Sequence, residues 1–174
     1  SNSVYALRAN KAGDLFIGTE EKDIYILMAS TGKTERLVIP DKYPSFKAVY
    51  GMCFTNNDSL LWVGTSGYGL IRMDIKKEGN RYEVKGFRQY TSLDTSNPLN
   101  NDIVYVVVPG ADGHSVWFGT RGGGLNKIDL RDNRIKSLED MDSNIQLTNN
   151  DVLCLLQDNE DFWIGTSYGL NWLK

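Results

Sequence analysis

The chain has 174 residues, of which 41% are hydrophobic and 24% charged, a composition typical of a globular protein. Its formal net charge of −3 provides no basic field for nucleic acid, so we predict no nucleic-acid partner. No apolar run approaches the roughly 20 residues of a membrane-spanning helix, so we expect no membrane contact by this segment.

In chain order, the sequence repeats one unit around a Gly-Thr pair, with spacings of 46, 55 and 46 residues. Each copy opens with an apolar run: SVYALRA, KAVYGMCF, DIVYVVV or DVLCLLQ. Turn-forming residues, the aromatic Gly-Thr run and a third run follow: DIYILM, LIRMDI, LNKIDL or LNWLK. A fourth run, TERLVI, YEVKGFRQY or RIKSLED, completes the first three copies, whereas the last copy stops after its third.

These runs predict β-strands, because they are short, rich in Val, Ile, Tyr and Trp, and separated by Gly, Asn and Asp. Four antiparallel strands in a unit of this length are typical of a propeller blade. The predicted fold is all-β, with about four four-stranded antiparallel blades. One partial β-propeller domain is expected over 1–174, with repeats at about 3–46, 47–101, 102–150 and 151–174, the last incomplete.

The Gly-Thr signature is interpreted as architecture. The aromatic ring supplies apolar surface between blades, the glycine lets the neighbouring sheet approach, and the threonine hydrogen-bonds at the turn. A phosphate-binding loop is not favoured, because the Gly-Lys-Ser/Thr ending and a following helix are missing. We expect the three tryptophans to be buried at equivalent positions. The signature residues are Phe16, Gly18, Thr19, Trp62, Gly64, Thr65, Trp117, Gly119, Thr120, Trp163, Gly165 and Thr166.

The copies resemble the two-component regulator propeller repeat, whose pattern is an Asn-Asp-Val start, Asp-x-x-Gly, Leu-Trp-Ile-Gly-Thr and Gly-Gly-Leu. The best match is LTNNDVLCLLQDNEDFWIGTSYGLNWL, followed by LNNDIVYVVVPGADGHSVWFGTRGGGLNKID. The second copy keeps LWVGTSGYGL but lacks Asn-Asp, and the first keeps only GDLFIGT.

The resemblance implies an extracytoplasmic, periplasmic sensor segment of a hybrid two-component histidine kinase that responds to glycan fragments. About four blades would form roughly half of a seven-bladed propeller, with the remaining blades as partners and the kinase outside this segment. The implied segment is not an enzyme. A protein-interaction propeller scaffold is the alternative, and a propeller lyase or glycosidase is a further one.

No catalytic constellation, metal site or cofactor is predicted. His114 is expected in a surface turn, since no Ser or Cys partner motif accompanies it. The acidic stretches at 138–144 and 158–161 are expected to be solvated turns, because they lack the ligand spacing of a calcium loop. Cys53 and Cys154 are interpreted as buried free thiols.

Ligand-binding candidates are the loops after the Gly-Thr runs, at 20–23, 66–69, 121–124 and 167–169, together with the stretches between blades. Tyr68, Arg121 and Tyr168 are selected because aromatic faces and a guanidinium suit oligosaccharides or acidic sugars. The alternative is that the tyrosines simply cover a blade edge. The pairs Asn101-Asp102 and Asn150-Asp151 are expected to cap turns.

An open array of four blades leaves two apolar end faces. We therefore expect this chain to be part of a larger ring. We also expect the isolated segment to self-associate as a homodimer, in which two four-bladed halves meet about a two-fold axis.

Overall fold

A computed structural model describes residues 3–21, 23–159 and 161–174. The chain is all-β and forms four antiparallel sheets, each made from consecutive strands, which we call blades 1 to 4. Blades 1 to 3 have four strands and blade 4 has three. The predicted all-β propeller is confirmed.

The strands follow the predicted apolar runs in order. Blade 1 comprises β1 Val4–Ala9, β2 Leu15–Thr19, β3 Ile24–Leu27 and β4 Thr34–Arg36. Blade 2 comprises β5 Val49–Thr55, β6 Leu60–Thr65, β7 Leu70–Glu78 and β8 Arg81–Tyr90. Blade 3 comprises β9 Val104–Pro109, β10 Ser115–Thr120, β11 Leu125–Asp129 and β12 Ile135–Ser137. Blade 4 comprises β13 Val152–Asp158, β14 Asp161–Thr166 and β15 Gly169–Leu173.

The fourth strands are shorter than the runs that predicted them, except in blade 2. In blade 3 the run RIKSLED divides into the three residues of β12 and a helical turn, α1 Leu138–Met141. Ser137 caps this turn and forms a reciprocal capping box with Asp140, which favours the helical turn over a longer strand.

The first strand of each blade lies nearest the propeller axis, because β1 contacts β5, β5 contacts β9 and β9 contacts β13. A row of tyrosines runs across these inner strands. Tyr5 meets Tyr50 at 5.3 Å between ring centroids, and Tyr50 meets Tyr105 at 5.6 Å. Val104 and Val152 hold equivalent positions, because each pairs with the signature threonine of its own blade. Leu153, the residue after Val152, therefore occupies in blade 4 the position of Tyr105 in blade 3 and continues the row.

Three hydrophobic clusters hold the blades together, one at each junction. Phe16 and Ile26 of blade 1 pack with Leu61 and Val63 of blade 2. Trp62 and Leu70 of blade 2 belong to the cluster that contains Phe118 of blade 3. Leu125 of blade 3 packs with Val152, Phe162 and Ile164 of blade 4. Each of the two inner blades therefore buries both faces, which explains why strict polar–apolar alternation is absent.

The signature glycines admit the next blade, as predicted. Three of the four lie against a valine near the start of the next first strand, so an added Cβ would come within 2.9 Å of the valine Cγ1. The pairs are Gly18 with Val49, Gly64 with Val104 and Gly119 with Val152. A larger residue would therefore push two sheets apart.

The three signature tryptophans hold equivalent register positions but differ in burial, so the expectation of uniform burial is wrong. Trp62 is fully buried between blades 2 and 3, whereas Trp117 and Trp163 are half-buried. Trp117 tilts against Phe162 at 4.8 Å between centroids. Trp163 faces away from blade 3 and stacks on Trp172 of its own sheet, with centroids 5.1 Å apart.

The two cysteines are both free, but only Cys53 is buried as predicted. Burial raises the pKa of the Cys53 thiol to about 12. The expectation for Cys154 is wrong, because it lies exposed on the outward face of blade 4, where no neighbouring blade covers it.

The four blades form an open arc with two apolar end faces. Leu7 on the outward face of blade 1 is 60% exposed, and Leu156 and Trp172 on that of blade 4 are 64% and 50% exposed. In blade 2 the positions that correspond to Leu7 and Leu156 are buried, namely Met52 and Cys53. Among the described residues, no helix has the length and apolar character needed to cross a membrane.

Candidate functional site

The loops that join second to third strands lie on the same side of the propeller as the stretches between blades, and we call this side the loop face. Main-chain hydrogen bonds tie the two kinds of segment together. Ser66 N–H donates to the carbonyl of Ala48, and Arg121 N–H donates to that of Ile103. The predicted binding loops and interblade stretches therefore form one connected surface.

The signature threonines close these loops. In all four blades, the threonine hydroxyl donates to a main-chain carbonyl at the far end of its own loop. In blade 2 the bond from Thr65 Oγ1 to the Gly69 carbonyl is 2.7 Å long. Gly69 has φ +73°, a conformation that glycine adopts without steric cost. The predicted role of threonine at the turn is confirmed.

The two Asn-Asp pairs fasten the stretches before blades 3 and 4 to the loop of the preceding blade. The carbonyl of Asp102 accepts hydrogen bonds from Gly67 N–H and Gly69 N–H, at 3.0 and 2.8 Å. Its carboxylate accepts from the Ser92 N–H and hydroxyl. The side chain of Asn101 caps the turn by accepting from Ile103 N–H. The predicted capping role is confirmed for this pair.

Asn150 and Asp151 hold the next loop one blade later through a related set of bonds that uses different acceptor atoms. One oxygen of the Asp151 carboxylate accepts from Gly122 N–H at 2.7 Å, and the Asp151 carbonyl accepts from Ser167 N–H. The carbonyl of Asn150 accepts from Gly124 N–H. The geometry of the loop at 121–124 is therefore fixed from both of its ends.

Tyr68 is less available to a ligand than its sequence position suggests. Its ring is partly buried and packs against the cluster between blades 1 and 2. Its N–H donates to Thr65 Oγ1, and its carbonyl accepts from the Gln89 side chain. These contacts favour the alternative reading for Tyr68, in which the tyrosine covers a blade edge.

Arg121 and Tyr168 are both exposed on the loop face, on adjacent blades. The main chain of Arg121 is held by Ile103 and by the Gly122 bond to Asp151, while the residue as a whole is exposed. Tyr168 is 82% exposed, and its N–H donates to Thr166 Oγ1. Each loop presents its side chain on an ordered main chain, which lowers the entropy cost of binding.

A polar cavity of about 290 Å³ opens beside the Arg121 loop. Asn100, Gly122, Glu139 and Asn150 contribute to its lining. Asn100 also donates to the Gly123 carbonyl and to Asn126 Oδ1, at 2.5 and 2.8 Å. The sequence analysis did not identify Asn100 and Asn126 as site residues. Their positions were available signals, since Asn100 directly precedes Asn101-Asp102 and Asn126 directly follows Gly-Gly-Leu.

Two acidic side chains, Glu139 and Asp140, line this cavity. Hydrogen bonds from the Ser137 hydroxyl and N–H lower the pKa of Asp140. This cavity, beside the loop that carries Arg121, therefore carries carboxylate charge at neutral pH.

His114 lies in the turn before β10, as predicted, on the side opposite the loop face. Its Nδ1 is 2.9 Å from Asp112, which also accepts from the Ser115 hydroxyl and Lys127. Burial alone would raise the pKa of Asp112, but these hydrogen bonds have the larger effect, so the pKa of Asp112 is lowered. This arrangement closes a turn and positions no nucleophile against a base.

No group of three or more His, Cys, Asp and Glu side chains that could hold a metal ion occurs within 3–21, 23–159 and 161–174. The stretch at 138–144 contains α1 and its cap, whereas Glu160 of the stretch at 158–161 lies outside the described residues.

The fold and the loop face place the chain in the class of β-propeller proteins. Residues 146–168 match the family model of the two component regulator propeller. The resemblance inferred from the sequence is thus confirmed, and the matched residues include the Asn-Asp pair, Trp163 and the loop that carries Tyr168. No curated protein matches the chain.

Solved structures similar to the chain include the extracellular domain of BT4673 from B. thetaiotaomicron. That domain is named a one component system in one structure and a hybrid two component system in another. The first has a TM-score of 0.72 and 19% identity and covers 97% of this chain and 22% of that one. The second has a TM-score of 0.70 and 17% identity and covers 98% and 24%. The chain therefore spans less than a quarter of the length of these extracellular domains.

A catalytically inactive virginiamycin B lyase from Staphylococcus aureus with quinupristin has a TM-score of 0.65 and 15% identity, covering 98% of this chain and 55% of that one. At these identities, the solved structures show the shared fold. Two of these structures are named as extracellular domains of a one component and a hybrid two component system, and the third is named as a lyase.

Proposed function

We propose that this chain is the ligand-sensing, signal-transmitting propeller segment of a periplasmic sensor region in a hybrid two-component histidine kinase. The observation that carries the proposal is the family match at 146–168. The similarity to the BT4673 extracellular domain, named a hybrid two component system, supports the same placement.

We propose oligosaccharide fragments as the ligand, bound at the loop face between blades 3 and 4. Arg121 and Tyr168 are the exposed candidates there, and the polar cavity beside Gly122 supplies amide groups. A guanidinium pairs with a uronic or sulfated sugar, and a tyrosine ring stacks on a pyranose face. Tyr68 would act mainly by supporting the loop.

The test is an oligosaccharide array of neutral and acidic fragments, followed by calorimetric titration of the 174-residue chain with the fragments that bind. Arg121→Ala and Tyr168→Ala should each weaken binding about 10-fold or more, since each removes one direct contact. The matched control is Arg131→Ala. Arg131 is an exposed arginine at the β11–β12 turn, on the opposite side, where it pairs with Asp129.

Equal binding by the wild type and the Arg121→Ala and Tyr168→Ala variants would refute this location of the site. The absence of any bound fragment would refute ligand sensing by these four blades. Turnover of a bound fragment would favour the lyase or glycosidase alternative.

We also propose that the isolated segment associates with a second copy, which the exposed end faces of blades 1 and 4 support.

A further inference from the structure

Each inner strand carries one extra residue at its loop-face end, and three of these four residues are tyrosines. We propose that Tyr5, Tyr50 and Tyr105 form an aromatic track around the propeller axis that binds neutral pyranose units of an oligosaccharide. This inference rests on the ligand class in the proposed function and extends that site from the Arg121 loop towards the axis.

A β-bulge recurs at the same place in all four inner strands. In blade 2, Val49 pairs with the signature threonine and Gly51 pairs with the signature glycine, so Tyr50 is the extra residue. The extra residues of blades 1, 3 and 4 are Tyr5, Tyr105 and Leu153. Bulges redirect a side chain out of the regular pleat and are common beside binding sites.

The bulge directs Tyr50 towards neither neighbouring blade. In a regular strand, residues two apart face the same side. Val49 instead belongs to the cluster shared with blade 1, whereas a Cβ on Gly51 would meet the backbone of blade 3. Tyr50 lies between these two residues and is partly exposed. This exposure exists with both flanking blades in place.

Tyr105 repeats the arrangement in blade 3. Val104 belongs to the cluster between blades 2 and 3, and Val106 packs against the cluster between blades 3 and 4. Tyr105 lies between them and is also partly exposed. Its ring is 5.6 Å from that of Tyr50, which in turn is 5.3 Å from that of Tyr5. The track therefore consists of adjacent rings on three blades.

The tyrosines of the track offer groups that the protein itself does not use. In the part of the chain that the structure describes, the hydroxyls of Tyr5, Tyr50 and Tyr105 have no hydrogen-bond partner. The hydroxyls of Tyr43 and Tyr82, by contrast, donate to protein oxygen atoms. A pyranose presents C–H groups on its faces and hydroxyls at its edge, so an aromatic ring with an unused hydroxyl suits it.

Leu153 shows that the bulge does not itself require a tyrosine. It is the extra residue of the same bulge in blade 4 and has no aromatic ring. The backbone at this position therefore accepts an aliphatic side chain. The aromatic rings of the other three blades are thus available for a role other than forming the bulge.

The track is continuous with the site proposed at blades 3 and 4. The N–H of Arg121 donates to the carbonyl of Ile103, which precedes Tyr105 by two residues. A fragment held at Arg121 can therefore continue over Tyr105 and Tyr50 towards blade 1. Neutral units are assigned to the track, because a phenol ring offers no positive charge to an acidic sugar.

The test titrates the 174-residue chain with neutral gluco-, manno-, galacto- and xylo-oligosaccharides from disaccharide to hexasaccharide, with and without a terminal uronic acid. Affinity should rise with fragment length. Tyr50→Leu and Tyr105→Leu should each weaken binding of the longer fragments roughly 2- to 10-fold, the contribution of one aromatic contact. Leucine is chosen because the same bulge holds Leu153, so folding should be retained.

Three further variants separate sugar binding from packing. Tyr105→Phe keeps the ring and should retain most of the affinity. Leu153→Tyr adds a fourth ring and should strengthen binding of the longer fragments. Tyr25→Leu is the matched control and should bind as the wild type does. Tyr25 is a partly exposed tyrosine of β3, which is separated from the inner strand by β2.

The outcomes distinguish this inference from the proposed function. Binding that Arg121→Ala weakens, but Tyr50→Leu and Tyr105→Leu do not, would overturn the track and keep the site at the Arg121 loop. Binding that only the tyrosine variants weaken would support the track and overturn the location at blades 3 and 4. An equal loss at every fragment length would assign the rings to packing between inner strands and overturn the track. No binding of any fragment would overturn both proposals.

Discussion

Asp14 is a buried residue between β1 and β2 of blade 1 that hydrogen-bonds across the junction to blade 2. Its side chain is almost fully buried and accepts hydrogen bonds from Lys77 and Tyr82 of blade 2, both 2.7 Å long, and from Ala29 N–H. Burial raises the pKa of Asp14, but the hydrogen bonds outweigh it and lower the pKa. For Tyr82, burial and the bond to Asp14 raise the pKa to about 12.

We expect Asp14→Asn to reduce stability at neutral pH and to flatten its loss in acid. A carboxylate whose pKa is lower in the folded chain contributes stability that is complete above its unfolded pKa of roughly 3.9. That contribution is lost as the pH falls through the folded pKa. Urea unfolding from pH 7 to pH 2 measures both effects. The exposed Asp41→Asn is the control, and parallel pH curves for wild type and Asp14→Asn would contradict the prediction.

The signature tryptophans should differ in energetic weight because they differ in burial. Trp62→Ala removes a fully buried ring, whose Nε1 donates to Thr55 Oγ1, and should cost roughly 3–5 kcal/mol. Trp163→Ala removes a half-buried ring on an uncovered face and should cost less than half as much. Chemical unfolding of each variant as a monomer gives the comparison. Equal losses would show that burial at the junction does not set their contribution.

At the level of single elements, the signature glycines divide into covered and uncovered ones. Gly119→Ala would drive a Cβ against the side chain and carbonyl of Val152, and should cost roughly 1–3 kcal/mol as overpacking does. Gly165→Ala meets only the Cys154 thiol and should cost less in the monomer. Unfolding of both variants at a protein concentration low enough to keep the chain monomeric measures this difference. A larger loss for Gly165→Ala would contradict it.

The Asn-Asp fastening should control the order of its loop. Asp151→Ala removes the acceptor of Gly122 N–H and the nearby partner of the Ser167 hydroxyl. Amide exchange at 121–124 should therefore accelerate, while the matching loop at 66–69, held by Asp102, stays unchanged. Hydrogen exchange with mass spectrometry detects the change. Unchanged exchange at 121–124 would mean that the carboxylate does not hold the loop.

For the whole molecule, sequence reasoning located the blades because their pattern is local. Gly-Thr spacing, turn residues and apolar runs identify each strand without knowledge of its neighbours. Whether a residue at a blade junction is buried depends on the neighbouring blade, and the sequence around that residue does not show it. Trp62 and Trp163 have the same sequence context, yet Trp62 is covered by blade 3, whereas no neighbouring blade covers Trp163. The same reason explains the error at Cys154 and the overestimated availability of Tyr68.

The open arc also predicts an uneven stability along the chain. Blade 2 buries both faces, whereas blade 4 has three strands and one covered face. In a repeat protein each unit is stabilised mainly by its neighbours, so blade 4 should open first and its amides should exchange fastest. Association with a second copy through that face would cover it, so protection of β14 and β15 should rise with protein concentration while that of β6 and β7 stays constant. Hydrogen exchange over a hundredfold dilution series, with Leu170→Glu as the unassociated control, measures this. Protection of β14 that is independent of concentration in the wild type would show that no second copy covers blade 4.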